Sequence, residues 1–240
     1  MKYGVGCKFP TKMSGDLIIT EVLEGDWRRV IFDDGYQKVT TTKCINDGEV
    51  RNPYAKTLFG VGWLGEGIST IENGKVLREY RLWHSMMQRC YYEHENISKS
   101  YKDKYVSPKW HCFQDFALWC RSQPTFYYKG WDLDKDLLKI GNKEYSPENC
   151  CFIPKTLNRT LVMYSADMGD SKGINMNTNG KWKVNYYREG TRHRSAKYFD
   201  TLNSAKDFYN LNRYNLLRVI LQEEKENLDE RVLTRLQEFL

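Results

Sequence analysis

Three side chains between Trp131 and Val162 have the types and spacing to do chemistry on a phosphate: Asp134, Lys135 and Asn158. A carboxylate and an amide are oxygen donors of the kind that hold a hard divalent cation such as Mg2+ against phosphate oxygens. They stand 24 positions apart (158 − 134), a hairpin plus about a turn and a half of helix, so both can meet across one ion. Lys135 adjoins the acid. An unperturbed lysine titrates near about 10.4, so accepting a proton at neutral pH needs a downward shift of roughly three units. Burial and a nearby metal push in that direction, while Asp132, Asp134 and Asp136 pull the other way. Three roles stay open for Lys135: a depressed base, a cation that holds phosphate while another group activates water, or the mark of a frame that has lost cleavage. Adjacent strand residues point to opposite faces, so Asp134 and Lys135 share a site only if the strand twists or ends there.

The elements that must position these groups follow from the same stretch. Trp131 to Leu138 is strand-like, Gly141, Asn142 and Pro147 mark a polar turn region, and Cys150 to Ile153 is a short apolar run. Pro154 suits the first position of a helix, where its missing N–H has no partner in any case, and nothing from Thr156 to Val162 breaks that helix. The expected order is β-β-α.

This pattern resembles the ββα-metal finger of HNH-type endonucleases. Leu133-Asp134-Lys135 stands where that family has an apolar-Asp-His triplet, Glu148-Asn149-Cys150-Cys151-Phe152 stands for its second strand, and Pro154 to Asn158 for the helix with its ligand Asn. The resemblance implies metal ligation by Asp134 and Asn158, catalysis by these two with Lys135 in place of the base His, and a structural part for Asn149. No histidine lies between His111 and His193 to replace the missing base. The wider chain is similar to bacteriophage HNH-like proteins with YGVGxLGEG-type and YSPExCCFxP-type segments, here Gly60–Gly67 and Tyr145–Pro154. Those proteins end in a module like the plant ethylene-response-factor DNA-binding domain.

Composition bounds the reading. A mean hydropathy of −0.70, no apolar run of roughly 18 residues and no signal-like start lead to the expectation of a cytoplasmic protein, in the host cytosol, without membrane contact. Seven cysteines without a C-x-x-C pair argue against a zinc site or a disulfide framework. The net charge of +6 is unevenly spread: Ser171 to Tyr198 holds Lys172, Lys181, Lys183, Arg188, Arg192, Arg194 and Lys197 against Glu189 alone. Such a local basic face points to a polyanion.

Along the chain, Asp16–Leu23, Trp27–Asp33 and Tyr36–Cys44 read as strands, with Asp34-Gly35 as a hairpin turn, and suggest a small β-barrel-like module over 1–62. Four glycines from Gly60 to Gly67 are expected to form a linker folded on the next domain rather than a phosphate loop, since no strand-to-helix junction follows. Asn73-Gly74 signals a further hairpin. Glu79–Glu93 and Lys109–Arg121 have the apolar spacing of amphipathic helices. His84, His94 and His111 share no helical face and read as ordinary histidines.

Residues 165–215 form the expected DNA-binding module. In Lys181–Arg188, Trp182, Val184 and Tyr186 face one way and Lys181, Lys183, Asn185 and Tyr187 the other. A strand over Arg192–Phe199 and a helix over Leu202–Tyr214 complete a unit that resembles the ethylene-response-factor domain. That likeness implies double-stranded DNA contacts from Lys181, Lys183, Tyr187, Arg188, Arg192, Arg194 and Lys197. Leu216–Leu240 reads as a helix that either packs back on the chain or forms a homodimer.

The expected fold is therefore α+β: a small β-barrel over 1–62, a helical and ββα HNH-like nuclease core over 63–164, the sheet-and-helix module over 165–215, and a C-terminal helix over 216–240. The expected function is a metal-dependent (Mg2+ or other divalent cation) HNH-like endonuclease or nickase of phage origin, akin to homing endonucleases. Its alternative is a catalytically degenerate DNA-binding phage protein acting as a regulator or anti-defence factor.

Overall fold

The computed structural model describes residues 2–92, 103–139, 141–162, 173–187 and 194–238, in a mixed α+β chain with two compact units, Met1–Ser122 and Gln123–Leu240. Among the described residues no helix is long and apolar enough to cross a membrane.

In the first unit β1 (Lys8–Pro10), β2 (Asp16–Val22), β3 (Trp27–Phe32) and β4 (Gln37–Thr41) form an antiparallel meander in that order. Alternation buries Leu17, Ile19, Val30 and Phe32 on one face. The β3–β4 turn is the expected one: Gly35 takes φ of 88°, and Asp34 Oδ1 accepts the Tyr36 N–H at 3.0 Å. The barrel is not formed. The third expected strand ends at Thr41, whose hydroxyl caps α1 (Thr42–Asn46) by accepting the Cys44 N–H, and Ile45 of α1 joins the core. With the helix covering the apolar face, the sheet stays open.

The Asn73-Gly74 hairpin joins β5 (Ile71–Glu72) and β6 (Lys75–Val76), with φ of 50° and 70° at the two turn residues, as a type I′ turn requires. Helices α2 (Arg78–Tyr91) and α3 (Phe113–Ser122) pack together with Trp83 against Phe113, and Met86, Met87, Phe116, Ala117 and Cys120 are also buried. Lys109 lies in a short 3-10 turn, Pro108–Trp110, rather than in α3, and the Trp110 carbonyl accepts from Trp83 Nε1 at 2.7 Å. The glycine stretch folds onto these helices. Gln114 of α3 donates to the Leu64 and Ile68 carbonyls at 3.0 and 3.2 Å and accepts from the Ile68 N–H at 2.7 Å. A Cβ on Gly65 would sit 2.8 Å from Gln114 Cγ and 2.9 Å from Cys112 Sγ. These glycines thus allow close packing against a helix, and no phosphate loop is formed.

In the second unit β7 (Trp131–Asp134) pairs antiparallel with β8 (Cys151–Pro154), Asp134 opposite Cys151 and Trp131 opposite Pro154. Helix α4 (Lys155–Val162) follows at once and packs on both strands. Pro154 closes the strand instead of opening the helix. The next sheet, β9 (Ile174–Met176), β10 (Trp182–Tyr187) and β11 (Arg194–Phe199), is an antiparallel meander. Helix α5 (Leu202–Glu224), capped by Thr201, covers one face around Ile174, Val184, Ala205 and Tyr209. It runs unbroken well past Tyr214, because Leu216, Leu217, Val219 and Ile220 continue its apolar stripe with no glycine or proline. Helix α6 (Glu230–Gln237) opens on the Asp229 cap, and Leu217, Ile220, Leu228, Val232 and Leu236 are all buried within the chain. The tail thus packs back on its own unit.

Candidate functional site

Asp134 is the last residue of β7. Its Oδ2 accepts the backbone N–H groups of Asp136 and Leu137 at 2.9 and 2.7 Å, so the carboxylate itself turns the chain out of the strand. The expected strand to Leu138 therefore stops four residues early, and the alternation that would have parted Asp134 from Lys135 ends between them. Both are buried, at 9% and 4% exposure. Burial pushes the Asp134 carboxyl above its ordinary range, opposed by the Leu137 N–H.

Lys135 does not face outward. Its ammonium pairs with Asp136, donates to the Asn142 carbonyl at 3.2 Å and lies 5.5 Å over the Tyr145 ring. Asn142 holds the other side of this loop. Its amide donates to the carbonyls of Lys135 and Glu144 at 2.8 and 2.6 Å, and its oxygen accepts the Glu144 N–H at 3.1 Å. Asn149 continues the chain of bonds, donating to Glu144 Oε2 at 3.0 Å, so it acts as a loop strut. The sequence marked Gly141-Asn142 as a turn. That Asn142 is buried and bonds three backbone groups depends on the returning chain and is not visible in the dipeptide.

Asn158 sits half-buried on α4, one turn into the helix that packs on both strands. Among the described residues neither Asp134 Oδ1 nor the Asn158 amide has a hydrogen-bond partner, and an oxygen of each is a donor of the hard kind that Mg2+ takes. No cluster of three or more His, Cys, Asp or Glu stands ready for a metal among the described residues. Burial raises the thiols of Cys150 and Cys151, which fits their place as neutral core residues.

Arg231 has no signal in the sequence. It reaches from α6 to the Glu148 carbonyl at 3.2 Å and the Cys150 carbonyl at 3.5 Å while ion-paired to Asp229 at 2.6 Å. The tail thereby braces the segment that leads into β8.

The second candidate surface is the sheet face opposite α5. Register sorts its residues. Val184, fully buried, lies opposite Lys197, and Trp182 opposite Phe199, so these belong to the helix face. Lys197 Nζ rests 4.6 Å over the Phe208 ring of α5 and 5.6 Å over Phe199. Lys197, expected as a DNA contact, thus stands on the face that α5 covers and Lys183 on the opposite one, because its register partner is Val184. Lys181 precedes β10 and pairs with Asp200 at 3.0 Å, both well exposed. On the open face Lys183 lies between Asn175 and Tyr198, and Asn185 lies opposite Ala196. Tyr187 and Arg194 end the ladder as a backbone pair, and their side chains lie outside the described part. Arg188 and Arg192 lie outside the described residues altogether. No protein family, characterised protein or solved structure matches the chain.

Proposed function

We propose that this chain docks on duplex DNA through the open face of β9–β11, and that its β7–β8–α4 unit is an HNH-like frame in which Lys135 is a structural cation. Binding without cleavage is the reading supported best, as expected of a phage regulator or anti-defence factor. The observation that carries the docking is a sheet covered on one face by α5 and left uncovered by the described residues on the other, where Lys183, Asn185 and Tyr198 stand. Three strands about 4.8 Å apart span roughly 10 Å, which suits a major groove about 12 Å wide. Lys183, the base placed on this face among the described side chains, supplies attraction to phosphate. Against cleavage stands the environment of Lys135: its Nζ is buried and already engaged by Asp136 and the Asn142 carbonyl.

A metal-dependent endonuclease or nickase is the second reading. The turn at Asp134, with its unbonded Oδ1, and Asn158 on the adjoining helix favour it. Those two residues would hold the ion, and a bound divalent cation would supply charge neutralisation at the scissile phosphate. The deciding experiment is nicking of supercoiled plasmid with Mg2+ or Mn2+ by the parent, Asp134→Ala and Asn158→Ala. Binding without cleavage predicts intact plasmid in all three alongside a retarded band in a DNA-shift assay. Nicking by the parent that both substitutions abolish establishes the enzyme instead. Failure to bind duplex even at low salt overturns both readings.

A further inference from the structure

We infer that the open sheet face reads adenine, with Asn185 as the specificity-determining side chain. The inference rests on the DNA-docking reading above and adds to it what the surface selects.

Described positions on this face are Asn175, Lys183, Asn185, Ala196 and Tyr198. The row Asn175–Lys183–Tyr198 crosses all three strands, and Asn185 stands in the next row on the central strand. Its cross-strand neighbour is Ala196, which is too short to reach or cover the amide. Asn185 is half-buried, so its stem is held by its neighbours. No hydrogen-bond partner within the described residues engages its side chain. An amide offers one donor and one acceptor in a single plane. In the major groove adenine presents the complementary pair, the N6 donor beside the N7 acceptor, whereas guanine presents two acceptors that suit Arg or Lys. An amide without a partner among the described residues, on the middle strand of a groove-sized sheet, therefore discriminates for adenine.

Spacing fits the duplex as well. Residues i and i+2 on a strand are about 6.8 Å apart, close to two base steps of about 3.4 Å each. Lys183 thus stands two steps from the base that Asn185 addresses, near enough to fix the register through phosphate without competing for that base.

The test is selection from a random duplex library with the full-length parent, Asn185→Ala and Asn185→Arg, followed by sequencing of the retained DNA. The parent is expected to enrich a motif with adenine at one fixed position. Asn185→Ala should lose the preference at that position alone, by roughly tenfold or more, and Asn185→Arg should shift it towards guanine. A motif that keeps the same base at every position in Asn185→Ala, or a parent motif without an adenine position, overturns the inference while leaving the docking surface in place. If the parent retains no duplex at low salt, the docking reading falls and this inference with it. The thermal melt of each variant verifies the fold, since Asn185 lies on the face away from the Ile174–Val184–Ala205–Tyr209 core.

Discussion

A buried ammonium with two oxygen partners and an aromatic ring beneath it is a fastening. Lys135 joins Asp136, the Asn142 carbonyl and Tyr145, and its removal takes all three contacts from a buried position. Lys135→Ala should therefore lower stability by about 2–3 kcal/mol, read as a lower midpoint in urea unfolding at unchanged slope. A change below about 0.5 kcal/mol would show the contacts to be incidental. Asp229 gives the residue scale a second test, by pH. Its hydrogen bond from Arg231 holds its carboxyl below the ordinary range in the folded state. A group whose folded value is depressed contributes stability that is present above the unfolded value and lost as pH falls through the folded one. Asp229→Ala should thus lower stability at pH 7 by about 1 kcal/mol through the lost cap and ion pair, read as a lower melting temperature, and the gap to the parent should close as the medium is acidified below the carboxylate range. A gap that is constant from pH 7 to the acid limit would contradict this.

At the scale of elements, two packings decide where side chains can act. The glycine stretch meets α3 so closely that Gly65, at φ of 69°, has no room for a methyl group between Gln114 and Cys112. Gly65→Ala is expected to cost about 2 kcal/mol or more, from overpacking and left-handed strain together. Gly74→Ala, with nothing near its Cβ position, carries only the conformational part at φ of 70° and should cost visibly less. Comparing the two by thermal unfolding separates close approach from turn geometry. On the C-terminal sheet, the face of each strand position sets its role. Lys197 sits over Phe208 on the covered face, and Lys183 stands on the open one. Lys183→Ala should flatten the plot of log affinity for DNA against log salt by about 0.9, the share of one phosphate. Lys197→Ala should leave that slope as it is and cost about 0.5–1 kcal/mol of stability through the lost ring contact. Equal effects of both lysines on the slope would mean that DNA wraps the sheet edge.

Over the whole molecule, each of the two units carries its own core. What could be read in the sequence was local. Turn chemistry at Asp34-Gly35 and Asn73-Gly74, the alternation Trp182–Val184–Tyr186 and the helical spacing in Glu79–Glu93 all report on neighbours within a few residues, where propensity and period act directly. The order of apolar runs likewise outlined the strands around Asp134 and Cys151, whereas Pro154 ends the second strand rather than opening the helix. Tertiary structure alone decided the rest. The chain turned at Asp134 because its carboxylate found two backbone N–H groups. Lys135 was drawn inward because Asn142 and Tyr145 return to meet it, and Arg231 reached back to Glu148 and Cys150 from more than 80 residues away. Lys197 crossed to the helix face because its register partner is Val184. In each case the deciding contact is distant in sequence or depends on which face a strand buries, and a window of local residues contains neither.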